Sequence, residues 1–219
     1  AVTGEGNRWE NIGAMMNRGI EVAIDGDIIR MNDFTWNLSA NFSYNKNKLL
    51  ELYNGVEEYV NSTTGLKYMV GHSVTEYFLN RYAGVNPANG DALWYTADGE
   101  LTTEFREDDK VMTGKTYESP WAGGFGTTFI WKGISLSAQF SWMAKRYVMN
   151  NDRFFEESNG IYSTYNQSKR LLYNRWKKPG DITDIPRYDV PAQLDDRFLE
   201  NTSFLRLKNL TVAYSLPQS

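Results

Sequence analysis

The chain has 219 residues, 41% hydrophobic and 15% aromatic, with a formal net charge of -4. No stretch approaches the roughly 18 to 20 apolar residues of a membrane-crossing helix, and the negative balance argues against a nucleic-acid partner, which needs a basic face. Zero Cys and one His, His72, remove disulfides, thiolate sites and His-based triads, and no metal or other cofactor is implied.

Residues 1–10, AVTGEGNRWE, carry no basic or apolar leader region, so the start reads as either a cytosolic protein or an interior piece of a longer chain. Gly19 to Ile29 alternates Ile20, Val22 and Ile24 against Glu21, Ala23 and Asp25, and its parity slips at Gly26-Asp27, where a bulge is expected. After Arg30-Met31-Asn32, Asp33 to Asn45 alternates without a break. Phe34, Trp36, Leu38, Ala40, Phe42 and Tyr44 face one way; Thr35, Asn37, Ser39, Asn41 and Ser43 face the other. Aromatics sit at both ends of that apolar face with Leu38 and Ala40 between them. Bilayer-crossing strands of about 9 to 11 residues show this ordering, because aromatic girdles lie at the two water interfaces.

A long polar segment runs from Lys46 to Pro120. Gly123 to Trp131 and Ile134 to Trp142 then read as a hairpin across Lys132-Gly133, with Phe140 and Trp142 on its apolar face. A second polar segment, Lys145 to Ser203, precedes a strand over Phe204 to Leu216. There Arg206 and Lys208 share the parity of Leu210, Val212 and Tyr214, so either they snorkel to an interface or a bulge shifts the register. Short turns alternating with very long loops fit an outer-membrane barrel better than a compact soluble domain. The fold class is therefore all-β, an antiparallel transmembrane barrel segment of about five strands with long extracellular loops. Phe34, Trp36, Leu38, Phe42, Tyr44, Phe140 and Trp142 are its expected lipid-facing belt.

Several motifs invite chemistry. Asp181, Asp184 and Asp189 suggest a glycosidase pair or a calcium site, but they lack compact ligand spacing, and Asp-turns with charge pairs to Arg187 explain them more simply. Asn86-Pro87-Ala88-Asn89-Gly90-Asp91 reads as turn chemistry. Glu104 to Asp109 reads as a solvated loop, and His72 as a loop residue without a partner histidine. The loop aromatics Trp94, Tyr95, Trp121, Tyr162, Tyr165, Tyr173 and Trp176 offer flat faces for sugars or for a protein partner, or pack the loops together.

The motifs, taken in order, resemble the C-terminal barrel region of SusC/RagA-like TonB-linked outer-membrane transporters of Bacteroidetes. The resemblance rests on Asn17-Arg18-Gly19-Ile20-Glu21, Phe34-Thr35-Trp36, Asn45-Lys46-Asn47-Lys48, Val70-Gly71-His72-Ser73 and Tyr82-Ala83-Gly84-Val85-Asn86-Pro87 with Gly90-Asp91. It continues through Gly123-Gly124-Phe125, Trp131-Lys132-Gly133-Ile134, Thr183-Asp184-Ile185-Pro186-Arg187 and Phe204-Leu205-Arg206-Leu207-Lys208-Asn209. It implies a large barrel filled by a plug domain, with import of glycans or oligopeptides driven by TonB and a SusD-like surface lipoprotein as lid. It implies no enzymatic activity. Plug, TonB box and last strands are absent from this sequence, so the chain is expected to be a fragment. Trp94, Tyr95, Arg175, Trp176, Asp184 and Arg187 are the expected contacts to substrate or lid. The alternatives are a secreted or surface β-sandwich that binds carbohydrate, and a small porin, which five strands cannot close. The direction in which Phe34, Trp36, Leu38 and Phe42 point separates sandwich from barrel wall.

Overall fold

The computed structural model describes residues 13–60, 66–162 and 164–216; the N-terminal decapeptide and Pro217, on which two sequence expectations rest, lie outside the described residues. In chain order the strands are β1 (Gly13–Arg30), β2 (Phe34–Leu52), β3 (Glu58–Val60), β4 (Lys67–Met69), β5 (Glu76–Leu79), β6 (Arg81–Val85), β7 (Ala92–Tyr95), β8 (Leu101–Thr102) and β9 (Val111–Thr116). They continue with β10 (Trp121–Trp131), β11 (Ile134–Ala144), β12 (Tyr147–Met149), β13 (Leu199–Asn201) and β14 (Phe204–Tyr214); two short helices, α1 (Asn151–Glu156) and α2 (Lys169–Tyr173), lie between β12 and β13. The chain divides into two compact units, one made of residues 1–76, 119–144 and 203–219, the other of residues 77–118 and 145–202.

The first unit is built on a five-stranded antiparallel sheet in the order β1-β2-β10-β11-β14. Its register aligns the apolar residues of every strand on one face. Val22, Phe42, Gly123, Trp142 and Leu205 form one cross-strand row, and Ile24, Ala40, Phe125, Phe140 and Leu207 form the next. The opposite face carries rows such as Ala23, Asn41, Gly124, Ser141 and Arg206. Among the described residues this apolar face stays uncovered: Phe42 is 36% exposed, Phe125 37% and Leu210 60%. A sandwich would bury these side chains. The sheet is a wall.

Aromatics gather toward the two ends of this face, while Phe125 stacks on Phe140 at 4.7 Å in the row of Ala40, nearer the middle. Trp36 stacks on Phe129 at 5.6 Å, and Phe34 lies 6.5 Å from the same ring. At the other end Tyr44 lies 4.2 Å from Trp121, and Phe42 packs against both Trp121 and Trp142. Trp121, grouped by sequence with the loop aromatics, therefore belongs to the sheet. From Phe34 to Tyr44 the band climbs about 33 Å along the strand at ~3.3 Å per residue, or about 25 Å at a tilt of ~40°, the height of an outer-membrane apolar belt. The Trp36 indole N–H donates to the Thr127 hydroxyl at 2.9 Å, so neither polar group within the band is left unpaired.

Three register shifts interrupt the sheet; one lies between Ala14 and Met15, and the other two keep the faces clean. The β1 register shifts between Asp27 and Ile29, next to the expected slip. On β14, Gln139 pairs with Asn209 while Phe140 pairs with Leu207, which leaves Lys208 as the extra residue. The bulge moves Leu205 and Leu207 onto the apolar face and Arg206 onto the polar one, so Arg206 need not snorkel. The β10–β11 turn has Lys132 at φ 45 and Gly133 at φ 85, the paired positive angles of a two-residue hairpin. At this end of the sheet Lys132 N–H donates to Asp33 O at 3.1 Å and Ser215 N–H to Gly133 O at 2.8 Å, so the short connections lie together.

Two sequence expectations need correction here. β2 runs on to Leu52, 19 residues in all, and β1 has 18, so both strands outrun the ~9 to 11 residues of a crossing. The long polar segments are also not structureless; they hold most of the second unit. Its core is small and partly polar: Phe198, Trp94, Ala92, Ile185 and Ala192 are buried together with Asn80, Ser158 and Asp195. Asp109 is buried too, accepting from Ala97 N–H at 3.0 Å, so the acidic run that ends there is only partly solvated.

Gly123 limits what the wall tolerates. A Cβ there would lie 2.4 Å from Asn41 O and 2.9 Å from the Trp142 ring. Gly123→Val in the full-length protein is expected to cost about 1–3 kcal/mol of stability, the range for overpacking. Thermal unfolding in detergent measures it; an unchanged midpoint would show that the strands yield freely at this point.

Candidate functional site

The second unit presents a groove of about 600 Å³, lined among others by Tyr173, Arg175, Lys177, Lys178, Asp181 and Asp184. Its lining lies wholly between residues 173 and 184, a segment that the turn over residues 86–91 braces through Trp176, Gly180 and Arg187. Ser168 caps α2, its hydroxyl accepting from Arg170 N–H at 3.3 Å. The helix stops at Asn174, and the backbone then forms a parallel bridge between Arg175 and Ile185. The loop between those residues closes on Asp181, whose carboxylate accepts from Lys177 and Lys178 N–H at 3.0 Å each. These backbone donors, Lys177 foremost, hold the Asp181 carboxyl below its ordinary range. Gly180 supplies the positive φ of 96° that the turn requires.

Trp176 pins this loop to the other segment. Its indole N–H donates to Pro87 O at 3.1 Å, and Gly180 N–H reaches the same carbonyl at 2.8 Å. The ring lies so close to Gly90 that a Cβ there would sit 2.5 Å from it. Gly90 O in turn accepts from Arg187 N–H at 2.9 Å, and Arg187 Nε donates to Asp91 at 3.0 Å. The turn itself is closed by its own amides: Ala88 N–H to the Asn86 side chain at 3.0 Å and Asp91 N–H to the Asn89 side chain at 3.1 Å. Asp189 pairs with Arg187. Asp184 pairs instead with Arg170, and more distantly with Arg153 at 3.7 Å. Buried Glu157 bridges the same two arginines, at 3.1 Å from Arg153 and 2.5 Å from Arg170. Among the described residues no three His, Asp or Glu side chains are grouped to hold a metal ion.

The six expected contact residues fall into three roles. Trp94 is 4% exposed and its indole donates to Asp195 at 2.8 Å, so it is a core residue and offers no contact surface. Its neighbour Tyr95 is exposed, with the Arg81 guanidinium 5.5 Å from its ring centre. Arg175 lines the groove and stacks on Tyr188 at 5.1 Å. Trp176, Asp184 and Arg187 hold the groove in shape through the bonds above. His72 pairs with Glu76 at 3.0 Å.

Sequence reasoning missed the centre of this unit. Asp195 also accepts from Arg197 N–H and Nε at 3.1 Å each, and the Arg197 guanidinium stacks 4.2 Å from Tyr82 and 4.8 Å from Phe198. Trp94 and Tyr82 reach this pair from about a hundred residues away, and contacts that distant leave no local pattern. Lys177 and Lys178 did carry a local signal, a cation pair just before Pro179-Gly180.

Burial pushes the Asp195 carboxyl above its ordinary 3.8, with Arg197 opposing part of the rise. The folded state therefore binds this proton more tightly than the unfolded chain, and stability falls as pH rises from about 4 through the raised value. Asp195→Asn is expected to flatten that slope in unfolding curves taken from pH 4 to 8. Trp94→Phe leaves one Asp195 oxygen without its donor and is expected to cost about 1–3 kcal/mol. A Trp94→Phe protein as stable as the parent would remove the indole bond from the core's account.

No protein-family model matches the chain. It is 27% identical to "TonB-dependent receptor P3" of Formosa agariphila over 99% of its own length and 23% of the relative's. To "TonB-dependent receptor SusC" of Bacteroides thetaiotaomicron it is 26% identical over 94% of its length and 21% of that protein's. The solved structure of the RagAB peptide transporter superposes at a TM-score of 0.88, with 34% identity over 99% of this chain and 24% of that one. The chain thus spans about a quarter of the length of these relatives, which are receptors and transporters rather than enzymes. Over nearly its whole length the chain is similar to a segment of the SusC/RagA-like TonB-dependent transporters of the Bacteroidetes outer membrane.

Proposed function

We propose that this chain is a C-terminal part of the barrel and outer loops of a TonB-dependent nutrient importer, whose plug and TonB box lie elsewhere in a longer polypeptide. The likeness to the RagAB peptide transporter over 99% of the chain carries this reading. The edges of the sheet support it: among the described residues β1 and β14 each pair with one neighbour only, and an unpaired edge in hydrocarbon costs several kcal/mol per backbone group. Further strands of the same polypeptide complete the wall. Its apolar face, with Phe34, Trp36, Leu38, Phe42, Tyr44, Phe140 and Trp142, meets lipid.

Oligopeptides are the substrate class we adopt. The second unit binds them or the lid, a SusD-like lipoprotein, through Tyr95, Arg175 and the groove, while Trp176, Asp184 and Arg187 keep the loops in position. Glycans are the second reading, favoured by exposed rings such as Tyr165 and Tyr173, which can stack on sugars. Binding and lid closure precede TonB-driven movement of the plug; no covalent step is involved.

Facing is testable at two adjacent residues. Leu38→Arg puts a charge at mid-band and is expected to cost about 2–4 kcal/mol, blocking assembly of the full-length transporter. Asn37→Arg, on the polar face, is expected to assemble normally. Heat-modifiable gel mobility of outer-membrane fractions distinguishes them, and equal behaviour would refute the facing. For transport, uptake of labelled oligopeptides should vanish when either TonB or the partner lipoprotein is deleted. Uptake that survives both deletions would defeat the importer reading.

A further inference from the structure

The groove over residues 173–184 has an uneven charge balance. Its lining includes the cations Arg175, Lys177 and Lys178 against the carboxylates Asp181 and Asp184. Both carboxylates are already engaged. Asp181 accepts two backbone N–H groups, and Asp184 is matched by Arg170 and Arg153. The three cations have no such match: among the described residues none of them forms an ion pair within 4.0 Å. Lys177 and Lys178 are exposed. Apolar surface stands beside the charge, with Ile182 96% exposed and Tyr173 largely so. The loop is held at both ends, by Trp176 on Pro87 O and by Gly180 on the same carbonyl, so its charges are displayed with little ordering left to do.

We propose that this groove binds the anionic end of an oligopeptide, the terminal or side-chain carboxylates meeting Arg175, Lys177 and Lys178 while apolar side chains lie on Tyr173 and Ile182. This rests on the oligopeptide-import reading and adds a charge preference to it. A carboxylate that enters meets three cations that outnumber the two lining carboxylates, so exposed pairs here act together. The preference is for negative peptides over neutral ones of the same length. It weakens with salt, because exposed charges are screened.

The test uses the full-length transporter with its lipoprotein in detergent, and three octapeptides: one with acidic residues at its C-terminal end, its amidated Asn/Gln counterpart, and a Lys counterpart. Titration calorimetry compares the parent with Lys177→Gln/Lys178→Gln, an exposed pair whose loss leaves the core bonds intact. The acidic peptide is expected to bind the variant about three- to ten-fold more weakly, the range for exposed charge pairs acting together, with the neutral peptide unchanged. In the parent, raising the salt should weaken only the acidic peptide. Equal binding of all three peptides to the parent leaves import standing and overturns the anionic groove. So does a variant that loses acidic and neutral peptides alike, or one that loses only its hold on the lipoprotein. A parent that binds none of the three overturns the import reading and this proposal together.

Discussion

Strand register is the constraint on which the rest of the wall depends. Side chains alternate along a strand, so a one-residue slip between neighbours would send an entire apolar row to the wrong face. Five strands keep their rows aligned here, and they do so with register shifts rather than with perfect alternation. The extra residue at Lys208 is the clearest instance. Without it, Leu205 and Leu207 would face the polar side, and a lysine and an arginine would face the apolar one. A lysine in the backbone bulge is the cheaper arrangement, since a charge at mid-bilayer costs kilocalories and a bulge costs one ladder bond.

That wall was legible in the sequence to a large degree. Asp33 to Asn45 alternates so cleanly that strand, facing and aromatic ends could all be read from it, and the Lys132-Gly133 hairpin carries its turn chemistry locally. What extended the strands was less visible. Residues 46–52 of β2 have mixed polarity because they leave the apolar band, so alternation no longer marks them. Lys208 was ambiguous for a related reason: a bulge and a snorkelling cation give the same one-dimensional pattern, and only the partner strand distinguishes them.

The second unit was hardly legible. Its fold rests on polar contacts between distant residues, such as Trp94 with Asp195, Tyr82 with Asp196 and Arg187 with Asp91. Hydrophobic periodicity says nothing about such pairs. Trp94 looked like a loop aromatic because its sequence neighbours are polar, yet burial with a carboxylate partner makes it a core residue. Local turn chemistry, in contrast, was readable: the amides of Asn86 and Asn89 and the carboxylate of Asp181 all close turns within a few residues of themselves.

The contact of Gly90 with the Trp176 ring has a consequence for how such loops diverge. One side of the contact is defined by the absence of a side chain and the other by the largest one, so neither residue can change alone without a clash or a void. In this chain residues 86–91 and 174–190 form a single inheritable module, although about eighty residues separate them, and a graft that takes one without the other brings the wrong half of a lock.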